Sequence, residues 1–326
     1  MTTATRPVNV KDAMQKVTDK FIQVIEDDIK NNRPAFWLRP WKTSYPMNAS
    51  FGNEYNGINF WNLLIEQMLN KYDSNLWATF NQIRQMGGKV IKGSKSVPVI
   101  FWKVINKETE ETEEDKSYLV ARAYHVFNLD QTTDCELPKR MDKLTTELLT
   151  DFTPVEKADE IINNYVEGKI QNQTPLALYT PKSEGKADKI GVTIERAFYQ
   201  PSTDSVNIPP VSLFNSMDEY YSTVFHELIH STGHPKRLNR LKENSNYYTD
   251  HLESYSAEEL TAELGNGILC QLTGIDGTNV ANNSVAYLRH WLEIFKNNPK
   301  ELMYAAGRAH KAVNHIVHGF MVKKDN

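Results

Sequence analysis

Apolar residues recur with a helical period over 10–31, "VKDAMQKVTDKFIQVIEDDIKN", at Met14, Val17, Phe21, Val24, Ile25 and Ile29. A proline- and asparagine-rich stretch follows and predicts loop. Helical patterning resumes in "FWNLLIEQMLNKY". The run "WATFNQIRQMGG" reads as a short helix stopped by Gly87 and Gly88. "VPVIFWKVI" and "YLVARAYHVF" are strand-like runs on either side of "KETEETEEDK", which predicts a hairpin with an acidic, solvated tip. Residues 138–154 show no core pattern beyond one short helix. The expected division is therefore 1–140, a linker at 141–154, and 155–326.

In the second part a helix is predicted over "PVEKADEIINNYVEG", and two short strands around a turn at Ser202–Ser205. Residues 216–233 read as a helix, with Ser216 and Glu219 at capping-box spacing. "SAEELTAELGNGILCQL" is a further helix. Residues 285–316 are helical with a break at Asn298-Pro299.

The helix at 216–233 contains "HELIH". Residues four apart share a helix face, so His226 and His230 can hold one cation between them. Glu227 lies about 100° round the helix, placed to take a proton from water rather than to bind the ion. A hydrolytic zinc site needs a third protein ligand and an open position, and the ion lowers the pKa of water to about 7 and polarises a carbonyl. His234 falls two residues short of the metzincin spacing and reads as a helix-end histidine against the dipole. The helix of "SAEELTAEL" offers Glu258, Glu259 and Glu263. Glu259 and Glu263 share a face, so Glu259 is expected as third ligand and Glu263 as the carboxylate that orients a ligand histidine, as in gluzincins. Glu258 is the rival ligand, and solvated helix charges are the alternative for all three. Tyr221 and Tyr255 are candidate acids or oxyanion donors, with a core or surface role as the alternative for either. The strands around Ser202–Ser205 offer an edge on which an extended peptide can pair.

The net charge of −4 hides an asymmetry. Residues 1–140 hold 19 lysines and arginines against 17 acids; with the six acids of the 108–115 run set aside the balance is +8. Residues 141–326 hold 18 against 24, a balance of −6. The segment 33–103 is also dense in aromatic residues (Trp37, Trp41, Tyr55, Trp61, Trp77, Phe80, Trp102) and in cations (Arg33, Arg39, Lys42, Arg84, Lys89, Lys92, Lys95, Lys103). Aromatic platforms along a positive groove are how single strands are held, although most tryptophans serve a core. "GGKVIKGSKS" adds a basic loop suited to phosphates and is not a Walker loop. Candidate DNA contacts are Trp41, Tyr55, Asn59, Trp77, Arg84, Lys89, Lys92, Lys95 and Lys103. Two distant cysteines, Cys135 and Cys270, match no metal spacing and suit a reducing compartment. No apolar run reaches the ~18–20 residues of a membrane span and the first residues lack a secretory pattern, so a cytoplasmic location is expected.

The pieces "RPWKTSYPMNASFGNEYNGIN", "LWATFNQIRQMGGKVIKGSKSVPVIFW", "YYSTVFHELIHSTGHPKRLNR" and "YSAEELTAELGNGIL", in that order, resemble the ArdC-type antirestriction proteins of plasmids and phages. The N-terminal half is also similar to the front of TraC-type conjugative primases. The resemblance implies an α+β protein of two domains, a mixed α/β single-stranded DNA-binding domain followed by a zincin-like metallopeptidase domain. It implies protection of incoming DNA from restriction enzymes. The expected ion is zinc, with another divalent metal such as manganese as the alternative. The expected partners are single-stranded DNA and a protein substrate, with no membrane. The acidic run at 108–115 and "KGSKS", where the family carries an acid after the glycine, depart from the pattern. Two other readings stay open: a non-hydrolytic DNA-coating protein with a structural zincin domain, and a metallopeptidase whose N-terminal domain docks a protein.

Overall fold

The computed structural model describes residues 9–39, 45–107, 116–139, 141, 153–168, 176–179, 196–241, 252–279 and 285–318. It is an α+β structure of two compact units, residues 1–23 with 43–150, and residues 24–42 with 151–326. The division falls inside the first helix, α1 (Val10–Lys30), rather than only near 140–155. The 3-10 turn Phe36–Leu38 explains this. All three of its side chains are buried, and they join the second unit's core. Asp28, fully buried on α1, is ion-paired with Arg33 and Arg39, so these two cations are spent on holding the turn.

The first unit is built on a four-stranded sheet. β1 (Met47–Asn48) runs parallel to β2 (Leu76–Thr79). β2 pairs antiparallel with β5 (Lys116–Asn128), and β5 with β4 (Val97–Lys107). The β4–β5 hairpin is in register from Val97–Val126 to Lys107–Lys116, as the two apolar runs predict; its acidic tip lies outside the described residues. Trp77, Ala78 and Thr79, the start of the run expected as helix, are strand. Leu76 and Ala78 fill one core cluster with Met47 and Ile83, while Trp77 fills another with Tyr55, Leu63 and Val99. A strand buried on both faces has no alternation to betray it. Thr79 then caps α3 (Phe80–Gln85) in a capping box with Gln82. Gly87, at φ +79°, makes the left-handed turn that ends it. β3 (Lys89–Val90) and β6 (Thr132–Thr133) form a small antiparallel pair.

Helix α2 (Ile58–Asn70) covers the free edge of β4. Asn59 Nδ2 donates to the Ile100 carbonyl at 2.7 Å and Asn59 Oδ1 accepts from Ile100 N at 2.8 Å. Asn62 Nδ2 donates to the Pro98 carbonyl at 2.7 Å. These amides take the place of a further strand and close an edge that would otherwise invite pairing.

The second unit holds α4 (Pro154–Val166), a sheet in the order β7 (Ala177–Tyr179), β9 (Ser205–Asn207), β8 (Phe198–Gln200), then α5 (Met217–Ser231), α6 (Leu252–Thr273), α7 (Val285–Asn297) and α8 (Pro299–His318). Ser216 Oγ accepts from Glu219 N, while the Glu219 carboxylate goes to Asn215 N instead of closing the box. Helices α5 and α6 pack closely because Gly265 has no side chain. A Cβ there would lie 2.7 Å from Ile229 Cδ1. Asn266 Nδ2 ties the same pair of helices together through Ser222 Oγ at 2.9 Å. Cys270 is free and buried, its thiol pushed up to about 12 by burial; Cys135 is free and half-buried.

Candidate metal centre and nucleic-acid surface

One helical turn separates His226 and His230 on α5, and their Nε2 atoms lie 3.1 Å apart. Glu259, on α6, faces both: Oε2 is 3.5 Å from His226 Nε2 and Oε1 is 3.4 Å from His230 Nε2. One donor atom from each of the three residues falls within a 4.8 Å cluster. Tetrahedral ligands bound at about 2.0–2.1 Å stand about 3.3 Å from one another, so this donor set has the spacing and chemistry of a divalent-ion site.

Each imidazole points Nε2 into the cluster and Nδ1 at its own carboxylate. Glu263 Oε1 lies 3.5 Å from His226 Nδ1, and Glu258 Oε1 lies 3.6 Å from His230 Nδ1. Glu258 is gripped by Arg240, with Nε to Oε2 at 3.0 Å and Nη2 to Oε1 at 2.7 Å. Arg240 also donates to Thr232 Oγ1 and to the Ile229 carbonyl. Glu258 therefore backs a histidine, as Glu263 does, and the donor cluster is completed by Glu259. The buried indole of Trp37 approaches Glu263 closely enough to favour its ionised form without a well-aligned hydrogen bond.

Electrostatics follow from crowding acids and imidazoles in a buried place. Burial disfavours a charged His226 or His230, but Glu259 and the acids around it outweigh burial and push both imidazoles up. Burial opposes ionisation of Glu259 and Glu258 as well; the two histidines hold Glu259 well below the usual carboxylate range, and His230 with Arg240 lowers Glu258. Glu263 goes the other way, pushed up by burial and by Glu259 against the pull of His226. Glu227 is buried beside both rings, and its charge favours their protonated forms.

Two tyrosines were candidates on sequence. Tyr221 is buried, and its hydroxyl donates to Asp159 Oδ1 at 2.7 Å; this hydrogen bond engages the proton an oxyanion donor would need. The Tyr255 side chain lies outside the described residues. His234 stands 3.7 Å from Asp204, in a network where Asp204 also accepts from Tyr199 and Arg237, and it is not in the donor cluster.

In the first unit the candidate contacts separate. Trp77 is fully buried, Tyr55 is buried with it, and Asn59 is engaged with Ile100. Trp77 and Asn59 present no surface to a strand, because one fills the core and the other closes the sheet, whereas Tyr55, though buried, borders a cavity beside Phe101 and Tyr124. Trp37 and Trp61 are likewise core residues. Trp41 lies outside the described residues. Arg84, Lys89, Lys92, Lys95 and Lys103 are exposed. Lys95 shares a cleft of about 640 Å³ with Lys16, Lys20 and Tyr72. Sequence counting missed Phe101, Tyr124 and Arg122, which are exposed on the hairpin. Their parity along the two strands was the available signal.

Two histidines one turn apart on a single helix, faced by a glutamate from the next helix, in a unit that follows a mixed α/β unit along the chain, define a zincin-like protein with an added N-terminal domain. Residues 181–308 match the family described as zincin-like metallopeptidase, and residues 11–127 match the N-terminal domain of the anti-restriction factor ArdC. The metal-free crystal structure of the antirestriction ArdC protein from the R388 plasmid is similar over 93% of this chain and 96% of its own, with 30% identity and a TM-score of 0.66. Its Mn(II)-bound structure matches at 28% identity, over 95% of this chain and 99% of its own, with the same TM-score. This chain belongs to the ArdC family of antirestriction proteins. It is also 31% identical over 294 residues to DNA primase TraC from Escherichia coli, spanning 87% of this chain and about a quarter of that primase's length. Among the described residues no helix is long and apolar enough to cross a membrane.

Proposed function

We propose that the protein protects DNA from restriction, with the first unit binding single strands and the second acting as a metal-dependent peptidase. The observation that carries the peptidase reading is the convergence of His226, His230 and Glu259, each histidine backed by its own carboxylate. These three residues would hold a divalent ion, which supplies a Lewis acid and lowers the pKa of water. Zinc suits two imidazoles and a carboxylate, and manganese is the ion in a related structure. Glu263 and Glu258 orient the rings, and Glu227, beside them and outside the donor set, accepts a proton. An extended peptide would pair along the outer strand β8, since β9 lies inside its sheet.

The charge partition favours a second reading of how protection arises. The exposed cations Arg84, Lys89, Lys92, Lys95 and Lys103 belong to the unit outside the acidic half, and coating a strand denies a restriction enzyme its substrate without hydrolysis. The whole TraC protein's activity does not transfer to a chain that matches only a quarter of its length. One comparison separates the readings. Glu227→Gln keeps the donor set, and changing Lys89, Lys92 and Lys95 together to alanine keeps the metal site. Loss of protection in Glu227→Gln, with oligonucleotide binding intact, supports the peptidase. Full protection by Glu227→Gln alongside failure of the lysine variant supports coating. If a metal titration finds no divalent ion bound, the metal reading falls.

A further inference from the structure

Where β4 and β5 leave the core, they turn one face of aromatic and cationic side chains outward. Directly opposed residues of an antiparallel pair point to the same face. Val97–Val126, Val99–Tyr124, Phe101–Arg122 and Lys103–Val120 are such pairs, so Val97, Val99, Phe101 and Lys103 line up with Val126, Tyr124, Arg122 and Val120. The inner end of this face, Val97, Val99 and Val126, is sealed by Tyr55, Leu63 and Trp77. Beyond it Phe101 is 47% exposed and Tyr124 42% exposed, and Arg122 and Lys103 are exposed next to them.

These rings border a cavity of about 260 Å³. Phe101 and Tyr124 meet edge to face with centroids 5.7 Å apart, and Tyr55 lies 6.3 Å from Phe101 on the inner side. Phe51, 58% exposed, stands on another wall, and Asn48, Thr79 and Gln82 add polar groups. The cavity is below the roughly 300–1,000 Å³ of a drug-sized site and matches the scale of one planar heterocycle. Aromatic side chains, the polar groups of Asn48, Thr79 and Gln82, and two cations on the same hairpin face suit an unpaired nucleobase with its phosphates running over Arg122 and Lys103; Glu54 also lines the cavity and favours a neutral base there over a phosphate. A duplex keeps its bases stacked and offers none to such a cleft.

We infer that this cleft, walled by Phe101, Tyr124 and Phe51, is the base-stacking site of the first unit, and that Arg122 and Lys103 hold the adjoining phosphates. The inference rests on the single-strand reading of that unit. It places the bases on the outward face of the hairpin, with Tyr55 at the inner side of the cleft and Trp77 in the core.

The test uses the full chain and a fluorescein-labelled oligothymidylate followed by anisotropy. Phe101→Ala and Tyr124→Ala should each weaken binding roughly 5- to 150-fold, the range for loss of one stacking ring. Phe101→Trp should restore it. Trp102, 47% exposed on the opposite face of the same strand, is the control, and Trp102→Ala should bind like the parent. Arg122→Ala should lower the slope of log affinity against log salt by about 0.7, whereas Phe101→Ala leaves the slope unchanged. Photo-cross-linking of the parent to a bromodeoxyuridine oligonucleotide should map to Tyr124 or Phe101 and needs no variant to fold. If the parent fails to bind the oligonucleotide, the single-strand reading falls and this site with it. If the parent binds but the Phe101 and Tyr124 variants bind equally well, or the cross-link maps elsewhere, this site alone is overturned.

Discussion

Arg240 and Glu258 form a two-point fork, and the carboxylate oxygen that accepts from Arg240 Nη2 at 2.7 Å is also the one 3.6 Å from His230 Nδ1. A carboxylate behind a ligand imidazole fixes its tautomer and raises its basicity, and losing such a partner costs about 10–100-fold in metal affinity. Glu258→Gln keeps the shape and removes the charge. It should weaken divalent-ion binding by that factor, read by competition with a chelating dye. Arg240→Lys should fall in between, because an ammonium cannot reproduce the planar fork. Unchanged ion affinity in both variants would show that Glu258 serves packing alone.

Asn59 makes a contrasting case, because its amide was a candidate DNA contact and the structure commits it to Ile100. Asn59→Leu leaves a buried N–H and a buried carbonyl without their partner, at about 1–3 kcal/mol each. The expected result is a lower denaturation midpoint and more aggregation through the uncovered β4 edge. Where the variant remains folded, oligonucleotide affinity should match the parent.

The candidate donor cluster could be approached from the sequence through spacing: four residues put His226 and His230 on one helix face, and four again put Glu259 on one face with Glu263, the carboxylate behind His226. The support behind His230 could not. Arg240 and Glu258 lie 18 positions apart across residues that carry no pattern, and only folding brings them together. The first unit shows the same limit from the other side. The composition of 33–103 is that of a stacking surface, yet Trp37, Trp61 and Trp77 are core, and counting cannot separate a buried ring from an exposed one. Strand parity in "VPVIFWKVI" and "YLVARAYHVF" held the better information, because it groups Phe101 and Lys103 with Tyr124 and Arg122. The second half of α1 belongs to the second unit together with the turn at Phe36–Leu38, which a reading by proline content treats as loop.

Two buried histidines on α8 set a pH dependence. Burial holds His310 down at about 4, and burial with the nearby Arg237 and Arg240 charges holds His315 at about 4. Both titrate near 6.5 when unfolded, so between these values the unfolded chain binds more protons than the folded one. Stability therefore rises with pH through this window and is lost as pH falls from about 6.5 towards 4, on the order of 2–3 kcal/mol for each histidine at full expression. His310→Leu removes one share. The gap in unfolding free energy between parent and variant should shift in the variant's favour on going from neutral to acid conditions, read by urea denaturation. A gap that stays constant with pH would contradict the assignment.

Gly265 and Ile229 set the distance between the two helices that hold the donors. Gly265→Ala puts a methyl within van der Waals overlap of the Ile229 side chain, with Cδ1 at 2.7 Å and Cγ1 at 2.8 Å from the new carbon. Alanine is the better helix former by about 1 kcal/mol. Overpacking costs about 1–3 kcal/mol and should win, because both residues are in a close-packed core. The same push moves α6, which carries Glu259, relative to α5, which carries His226 and His230, so ion affinity should fall together with stability. Ile229→Ala alone opens a cavity and costs about 2–5 kcal/mol. In the double variant the added methyl occupies part of the space the isoleucine leaves. The two changes should therefore couple favourably by about 0.5–3 kcal/mol in a double-mutant cycle. Ion affinity should recover towards that of Ile229→Ala. Additive losses in stability would mean that the helices adjust freely around position 265 and that the glycine does not set their spacing.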